Sequence, residues 1–149
     1  MGGDLRVVVV GADDAAALEE WRYAHNLVVP PAAMSAEEAR ERLVRGYRLE
    51  NAYLGDVLVG CSTVRPAVDG AVTVIARVLP GFRRRGFGKA LYERGLAHAR
   101  GQGAEAVETC VLAVNEDGLR FAGRHGFVEV ERYVLDGGDD EWVDLRLGL

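Results

Sequence analysis

The chain has 149 residues, of which 49% are hydrophobic and 28% are charged, and its net charge is −5. This length suits a single domain over residues 1–149 with a substantial core. No apolar run approaches the ~20 residues of a membrane-spanning helix, and the N-terminus lacks the pattern of a signal peptide, so we expect no membrane association. The acidic balance argues against nucleic acid as a partner. It is compatible with one anionic cofactor and with a cationic second substrate.

The first half of the chain predicts a strand, two helices and an antiparallel meander. The predicted elements are a strand over 5–10, helices over 14–25 and 35–45, and strands over 47–54, 57–64 and 71–78. Asp14 suits the start of the first helix, and Ser35 with Glu38 forms a capping box for the second. Two prolines predict an irregular loop over Val28–Met34. Short Gly-Asp and Asp-Gly turns separate the last three strands.

The second half predicts an alternation of helices and strands. The elements are a helix from Lys89 to Arg100, a strand over 107–112, a helix from Asn115 to near Gly126, and a hairpin with strands over 128–135 and 141–147. Both hairpin strands alternate apolar and polar residues. The connection between strands 71–78 and 107–112 is long enough to join parallel strands, and the other connections indicate antiparallel pairing.

The segment Pro80-Gly81-Phe82-Arg83-Arg84-Arg85-Gly86-Phe87-Gly88-Lys89 lies between a β-branched strand and a helix. Glycines at the start of a helix let backbone N–H groups approach an anion, and the helix dipole favours negative charge there. Three arginines add formal charge. The segment therefore predicts a pyrophosphate site. The alternatives are that the glycines only form a tight turn and that the arginines are a solvated face.

Two segments at fixed separation resemble the GNAT superfamily of N-acetyltransferases. The first is Val78-x-Pro80-x-x-Arg83-x-x-Gly86-x-Gly88, which is similar to the acyl-CoA loop of that family. The second is Asn115-Glu116-Asp117-Gly118-Leu119-Arg120-Phe121-Ala122-Gly123-Arg124-His125-Gly126-Phe127, in which Asn opens a helix and Gly-Phe closes it. The predicted element order agrees with the family over the whole chain.

The resemblance implies an α/β (α+β) fold: a mixed, mostly antiparallel six- to seven-stranded sheet, splayed between strands 71–78 and 107–112 and flanked by about four helices. It implies acetyl-CoA as co-substrate and no metal. A backbone N–H of Ala76 or Val78 would hold the acetyl oxygen, and Asn115 would face the pantetheine or sulfur end. The implied cofactor-binding residues are Ala76, Val78, Arg83, Arg84, Arg85, Gly86, Phe87, Gly88, Lys89, Asn115 and Phe121. Phe121 is also a core candidate, and we expect Phe127 and Trp142 in the core.

The catalytic acid and base are not evident. The family's usual tyrosine position is occupied by Ala122, which leaves Tyr133 as a candidate acid, and Val72 stands where some relatives have a glutamate. The conceivable bases are Glu19, His25, Glu50, Glu108 and Glu131. We expect His98 and His125 to be structural, and Cys110 to be a small buried hydrophobe rather than a nucleophile. Cys61 and Cys110 lack metal-ligand spacing, which favours free thiols and a cytoplasmic location.

The implied activity is transfer of an acetyl or longer acyl group from its CoA thioester to the amine of a small molecule or peptide. Val28–Met34 either lines a pocket for an amine with a hydrophobic body or packs onto the core. The alternative function is a catalytically weak or inactive acyl-CoA-binding regulatory module. The lack of the glycine motifs of nucleotide sites argues against a nucleotide phosphate site. The resemblance leaves a homodimer open.

Overall fold

A computed structural model describes residues 4–149, in which seven strands form one mixed sheet in the order β1-β2-β3-β4-β5-β7-β6. The strands are β1 (Leu5–Val9), β2 (Arg48–Leu54), β3 (Val57–Val64), β4 (Ala71–Val78), β5 (Ala106–Leu112), β6 (Val128–Val134) and β7 (Glu141–Gly148). The helices are α1 (Ala15–Val28), α2 (Ala36–Val44), α3 (Phe87–Gly101) and α4 (Glu116–Arg124). The predicted element order and mixed sheet are confirmed.

The sheet opens between its two parallel strands. β4 pairs with β5 only through Ala71, Val72 and Thr73, which lie opposite Ala106, Val107 and Glu108. Beyond that point β4 continues along β3 to Val78, whereas β5 continues along β7 to Leu112. A gap therefore separates the C-terminal halves of β4 and β5, which confirms the predicted splay.

The helices cover the two faces of the sheet and create two main cores. On one face α1 and α2 bury Leu18, Trp21 and Ala39 against Leu49 and Cys61 of the sheet. On the other face α3 and α4 bury a cluster that includes Val74, Tyr92, Leu96, Ala122, Phe127 and Val143. The prediction of Phe127 and Trp142 as core residues is confirmed, since each is at most 8% exposed.

Two local predictions need correction. The loop at Val28–Met34 is not wholly irregular, because Pro30–Ala32 forms a 3-10 turn. Proline suits the first position of such a turn, where its missing N–H costs nothing. α1 extends to Val28, beyond the predicted end near His25. The final hairpin forms as expected. β6 lies at one edge of the sheet, and its residues are exposed except for the partly buried Tyr133.

Within residues 4–149, no helix combines the length and the apolar character that crossing a membrane requires.

Candidate functional site

The free edge of β4 turns a row of main-chain polar groups toward the gap. Arg65 N donates to Thr73 O at 2.9 Å and Leu79 N donates to Val59 O at 2.8 Å, so odd-numbered residues bond to β3. Because hydrogen-bonding direction alternates along an antiparallel ladder, the N–H and C=O groups of Ala76 and Val78 face the gap. The carbonyl of Val78 accepts from Arg83 Nε at 3.0 Å. The cofactor contacts of Ala76 and Val78 that the resemblance implies stay predictions.

This edge leads directly to the N-terminus of α3. Gly86 caps the helix without a side-chain hydrogen bond, and its φ of 83° is one that glycine adopts without strain. The first helical bond runs from Ala90 N to Gly86 O at 3.1 Å. The N–H groups of Phe87, Gly88 and Lys89 therefore precede the first helical bond and point out of the helix end. Apart from Gly86 and its two neighbours in the chain, no atom of the described residues lies within 4 Å of where a Gly86 Cβ would be. The geometry is that of an anion site.

The three arginines beside this helix end are exposed, and each touches a different neighbour. Arg83 holds the end of β4, as described above. Arg84 lies 3.6 Å from an Asp117 carboxylate oxygen at the start of α4. The Arg85 guanidinium lies 5.3 Å from the centre of the Phe87 ring. The arginines and the helix end together place positive charge around the open amides.

The first turn of α4 forms the opposite side of the gap. Asn115 caps this helix, with its Oδ1 accepting from Gly118 N at 2.9 Å. Phe121 is half-buried, with its ring centre 5.2 Å from that of Tyr92 on α3 and 4.2 Å from that of His125. Asn115 thus has a structural role, and Phe121 connects α4 to α3. The cofactor contacts of both residues stay predictions.

Two tyrosines, Tyr92 and Tyr133, are relevant to the catalytic acid, because Ala122 occupies the family's usual tyrosine position. Ala122 is 1% exposed and packs in the core cluster of Tyr92, whose hydroxyl lies 2.9 Å from Thr109 Oγ1. Burial raises the pKa of Tyr92 to about 12. The Tyr133 hydroxyl donates to Asp144 Oδ1 at 2.9 Å, and burial followed by this bond raises its pKa above the usual range. Both phenols hold their protons firmly.

A cavity of about 120 Å³ lies on the other face of the sheet, between α1, α2, the segment at Ala32 and Met34, and strands β2 to β4. Its lining residues are Trp21, His25, Ala32, Met34, Arg42, Tyr47, Leu49, Thr63, Arg65 and Arg77. Met34 supports the expectation that the Val28–Met34 loop lines a pocket, and it also packs onto the core. The sequence did not point to the three arginines of this cavity, which are Arg42, Arg65 and Arg77. Only Arg77 stands out in the sequence, because it is the only charged residue in the run Ala71–Val78.

Of the five conceivable bases, only His25 lines this cavity. Its side chain is buried, its ring stacks on Trp21 at 5.1 Å, and its Nδ1 lies 2.9 Å from Asn26 Oδ1. Burial, followed by the charge of Arg77, lowers the pKa of His25 to about 4. His25 is therefore neutral at pH 7 and a weak base.

The other four conceivable bases are glutamates, and none of them lines the cavity. Glu19 pairs with Arg22, Glu108 lies 3.8 Å from Arg146, and Glu131 is exposed on β6. Glu50 is buried and lies 2.7 Å from Arg94 of α3. Burial acts to raise its pKa, but the bonds and charges of the neighbouring arginines outweigh it and hold the pKa below the usual value.

Neither cysteine is activated. Cys61 is buried, Cys110 is partly buried, and burial raises the pKa of both thiols. Within residues 4–149, His, Cys, Asp and Glu side chains form no group of three that could hold a metal.

Comparisons with known proteins agree with this geometry. The family model of the acetyltransferase (GNAT) family matches residues 15–127. Because this match covers most of the chain, the chain belongs to the GNAT acetyltransferase family. No curated protein is significantly similar in sequence.

Solved structures share the fold. The chain resembles yncA of Salmonella typhimurium with its cofactor acetyl-CoA, with TM-score 0.72, 18% identity, and coverage of 97% of this chain and 93% of that one. It resembles the ribosomal-protein-S18-alanine N-acetyltransferase of Escherichia coli, with TM-score 0.79, 16% identity and coverage of 97% and 94%. It also resembles a Bacillus subtilis acetyltransferase in complex with CoA, with TM-score 0.74, 21% identity and coverage of 98% and 99%. These identities establish a common fold and not a common substrate.

Proposed function

We propose that the protein transfers an acetyl group from acetyl-CoA to the primary amine of a small molecule or peptide, by direct attack in a ternary complex. One observation carries the proposal. The polar edge of β4 that faces the open gap leads into the N-terminus of α3, where Gly86 is the N-cap and offers no side-chain hydrogen bond. The acetyl-CoA and CoA named with two of the structural neighbours support the same cofactor. The two free thiols support a cytoplasmic location.

The cofactor would lie along this path in three parts. The N–H groups from Arg83 to Lys89 would hold the pyrophosphate, which suits a helix N-terminus. The pantetheine arm would pair with Ala76 and Val78 as a further strand would, with Asn115 and Phe121 on the facing side. The N–H of Ala76 or Val78 would hold the thioester oxygen. A preorganised donor of this kind stabilises the oxyanion that forms when the amine attacks.

The reaction depends little on an acid that protonates the leaving thiolate, and more on a base that takes a proton from the amine. A thiol with a pKa near 8.5 leaves readily as thiolate at neutral pH, so the firmly held protons of Tyr92 and Tyr133 do not preclude turnover. A lysine-like amine is neutral in only ~1 in 2,000 molecules at pH 7, so its proton must be removed. His25 is neutral and close to the cavity, but its low pKa leaves the base unassigned. Positioning of both reactants supplies much of the rate.

A second candidate function is an acyl-CoA-binding module with little or no turnover. The buried Ala122, at the usual tyrosine position, favours it, because the core leaves no acid there. In that case acetyl-CoA binds and no amine releases free thiol from it.

Thermal unfolding with acetyl-CoA, longer acyl-CoAs, ATP and NAD tests cofactor binding. A ligand present at 100 times its Kd adds about 2.7 kcal/mol of stability. We expect this shift with acyl-CoA alone, and stabilisation by ATP or NAD but not by acetyl-CoA would contradict the proposal. Release of free thiol with a broad panel of amines then separates the transferase from the binding module.

A further inference from the structure

The cavity between α1, α2 and β4 contains a buried cation for which residues 4–149 provide no counter-ion. Arg77 is 7% exposed and lines the cavity. One of its terminal nitrogens donates to Thr63 Oγ1 at 3.0 Å and lies 3.8 Å from Cys61 Sγ. Its buried Nε has no hydrogen-bond partner in the described chain. Burying a guanidinium costs free energy unless it is paired and hydrogen-bonded. Arg77 therefore has room for a further hydrogen-bond acceptor with negative charge.

The surroundings of Arg77 add positive charge. Arg42 of α2 and Arg65, just after β3, line the same cavity, and His25 of α1 is neutral there. In the described chain no carboxylate forms an ion pair with any of the three arginines.

Three carboxylates on the surrounding elements form ion pairs with other arginines. Glu19 of α1 pairs with Arg22, and Glu41 of α2 pairs with Arg45. Glu50 of β2 pairs with Arg94 on the opposite face of the sheet. The cavity thus has a formal charge of +3, which is the reverse of what a cationic second substrate would need.

We propose that the acceptor amine also carries an oxyanion group, such as the carboxylate of an amino acid, and that Arg77, Arg42 and Arg65 bind this group. This inference rests on the proposed acetyl transfer and names its substrate class. Guanidinium groups bind carboxylate and phosphonate oxygens in the same forked geometry, so the shared chemistry is a planar or tetrahedral oxyanion. Trp21, Met34 and Leu49 provide apolar walls for the rest of the molecule.

The position of Arg77 along β4 connects the oxyanion to the reaction. Its neighbours Ala76 and Val78 are the residues whose main-chain groups face the gap. An oxyanion held by Arg77 therefore places the amine beside the stretch of β4 proposed to hold the thioester. The pyrophosphate of CoA is not the missing anion, because the N-terminus of α3 lies on the opposite face of the sheet.

The size of the cavity favours a small acceptor. Its 120 Å³ is several times the ~10–15 Å³ that a single water needs. An amino acid is therefore a better match than a folded protein surface.

The test measures kcat/KM with acetyl-CoA for matched pairs of acceptors. Each pair consists of an amino acid with an apolar side chain and the same molecule with its carboxylate converted to a carboxamide, and an aminophosphonate forms a further arm that separates carboxylate from phosphonate recognition. We expect the member that carries the carboxylate to be preferred by at least ~10-fold, because hydrogen bonds to charged groups are strong. Arg42→Gln and Arg77→Gln should each reduce this preference ~10-fold or more. Arg40→Gln is the matched control, since Arg40 is exposed on the same helix and does not line the cavity.

A binding measurement makes the inference independent of turnover. With CoA present, N-acetylated amino acids should raise the unfolding temperature of the wild type and of Arg40→Gln more than their amides do. This difference should disappear in Arg42→Gln, which alters a partly exposed side chain and is the safer variant for folding. Equal kcat/KM and equal binding for both members of each pair would overturn the oxyanion proposal while leaving acetyl transfer intact. Failure of acetyl-CoA to bind would instead overturn the proposed function.

Discussion

The same strand, β4, contributes to the two candidate sites in different ways. Toward the gap it offers main-chain groups of Ala76 and Val78, next to an exposed loop and an open helix end. Toward α1 it offers the side chain of Arg77, which is buried and lines a partly open cavity. Backbone recognition depends on chain geometry and tolerates many side chains, whereas the cavity depends on which side chain is present. Variants on the gap side should therefore alter cofactor binding, and variants on the cavity side should alter acceptor choice.

The largest expected effect is on the gap side. Gly86→Glu should abolish acetyl-CoA binding, because it places a carboxylate where the pyrophosphate is expected. At 1,000 times the wild-type Kd, about 4 kcal/mol of ligand stabilisation should be lost. Thermal unfolding with and without acetyl-CoA measures this loss.

Gly86→Lys is the matched control for that variant. It introduces the same left-handed strain at φ 83° and a side chain of similar length, but with the opposite charge. It should retain measurable binding. An unchanged ligand shift in Gly86→Glu would show that the phosphate site is elsewhere.

On the cavity side, His25 should make stability depend on pH. The pKa of His25 is about 4 in the folded protein and 6.5 when unfolded. As pH falls from 6.5 to 4, the unfolded chain gains a proton that the folded chain does not, so stability present above pH 6.5 is lost. The loss is about 3 kcal/mol.

Urea unfolding of wild type and His25→Gln between pH 7 and 4 isolates this contribution from that of the carboxylates. The difference in free energy of unfolding between the two proteins should change across this range. A constant difference would mean that His25 titrates normally and that the cavity is wetter and less basic than described.

The contact of α3 with β4 should also be sensitive to small changes. A Cβ at Gly95 would overlap Val74 Cγ1, so Gly95→Ala should destabilise the fold by about 1–3 kcal/mol. Gly101→Ala in the same helix is the control, because within residues 4–149 nothing outside the adjacent helix backbone lies within 4 Å of its Cβ position. Equal stability of the two variants would show that α3 can shift on the sheet. The N-terminus of α3, where the pyrophosphate is expected, would then be held less rigidly against the sheet.

The smallest expected effect concerns α2, which carries Arg42 to the cavity. Ser35 Oγ accepts from Glu38 N at 3.1 Å, and Glu38 accepts from Ser35 N at 2.9 Å. Ser35→Ala should cost about 1 kcal/mol in free energy of unfolding, whereas Ser35→Asp should keep the cap. Acetyl-CoA affinity should stay unchanged in both. A loss of affinity in Ser35→Ala would contradict the independence of the two sites.

Much of the fold could be predicted because its signals are local. The capping box of Ser35 and Glu38 predicts the start of α2, and the glycine-containing turns separate the strands of the meander. The expectation of an irregular loop at Val28–Met34 failed because proline ends a helix but also suits the first position of a new turn. The exposure of β6 could not be predicted, since alternation in a strand does not tell which strand lies at the edge of a sheet.

The sequence by itself determined the order of the helices and strands. It also determined the resemblance of two spaced motifs to the GNAT family and the glycine-rich start of α3 with its arginines. Each of these depends on residues close together in the chain. Only the tertiary structure decided that Arg42, Arg65 and Arg77 meet His25 in one cavity, and that Ala122 lies in the core beside Tyr92. The cavity residues come from separate elements, and their burial and their closeness to one another arise only when α1, α2 and β4 pack together.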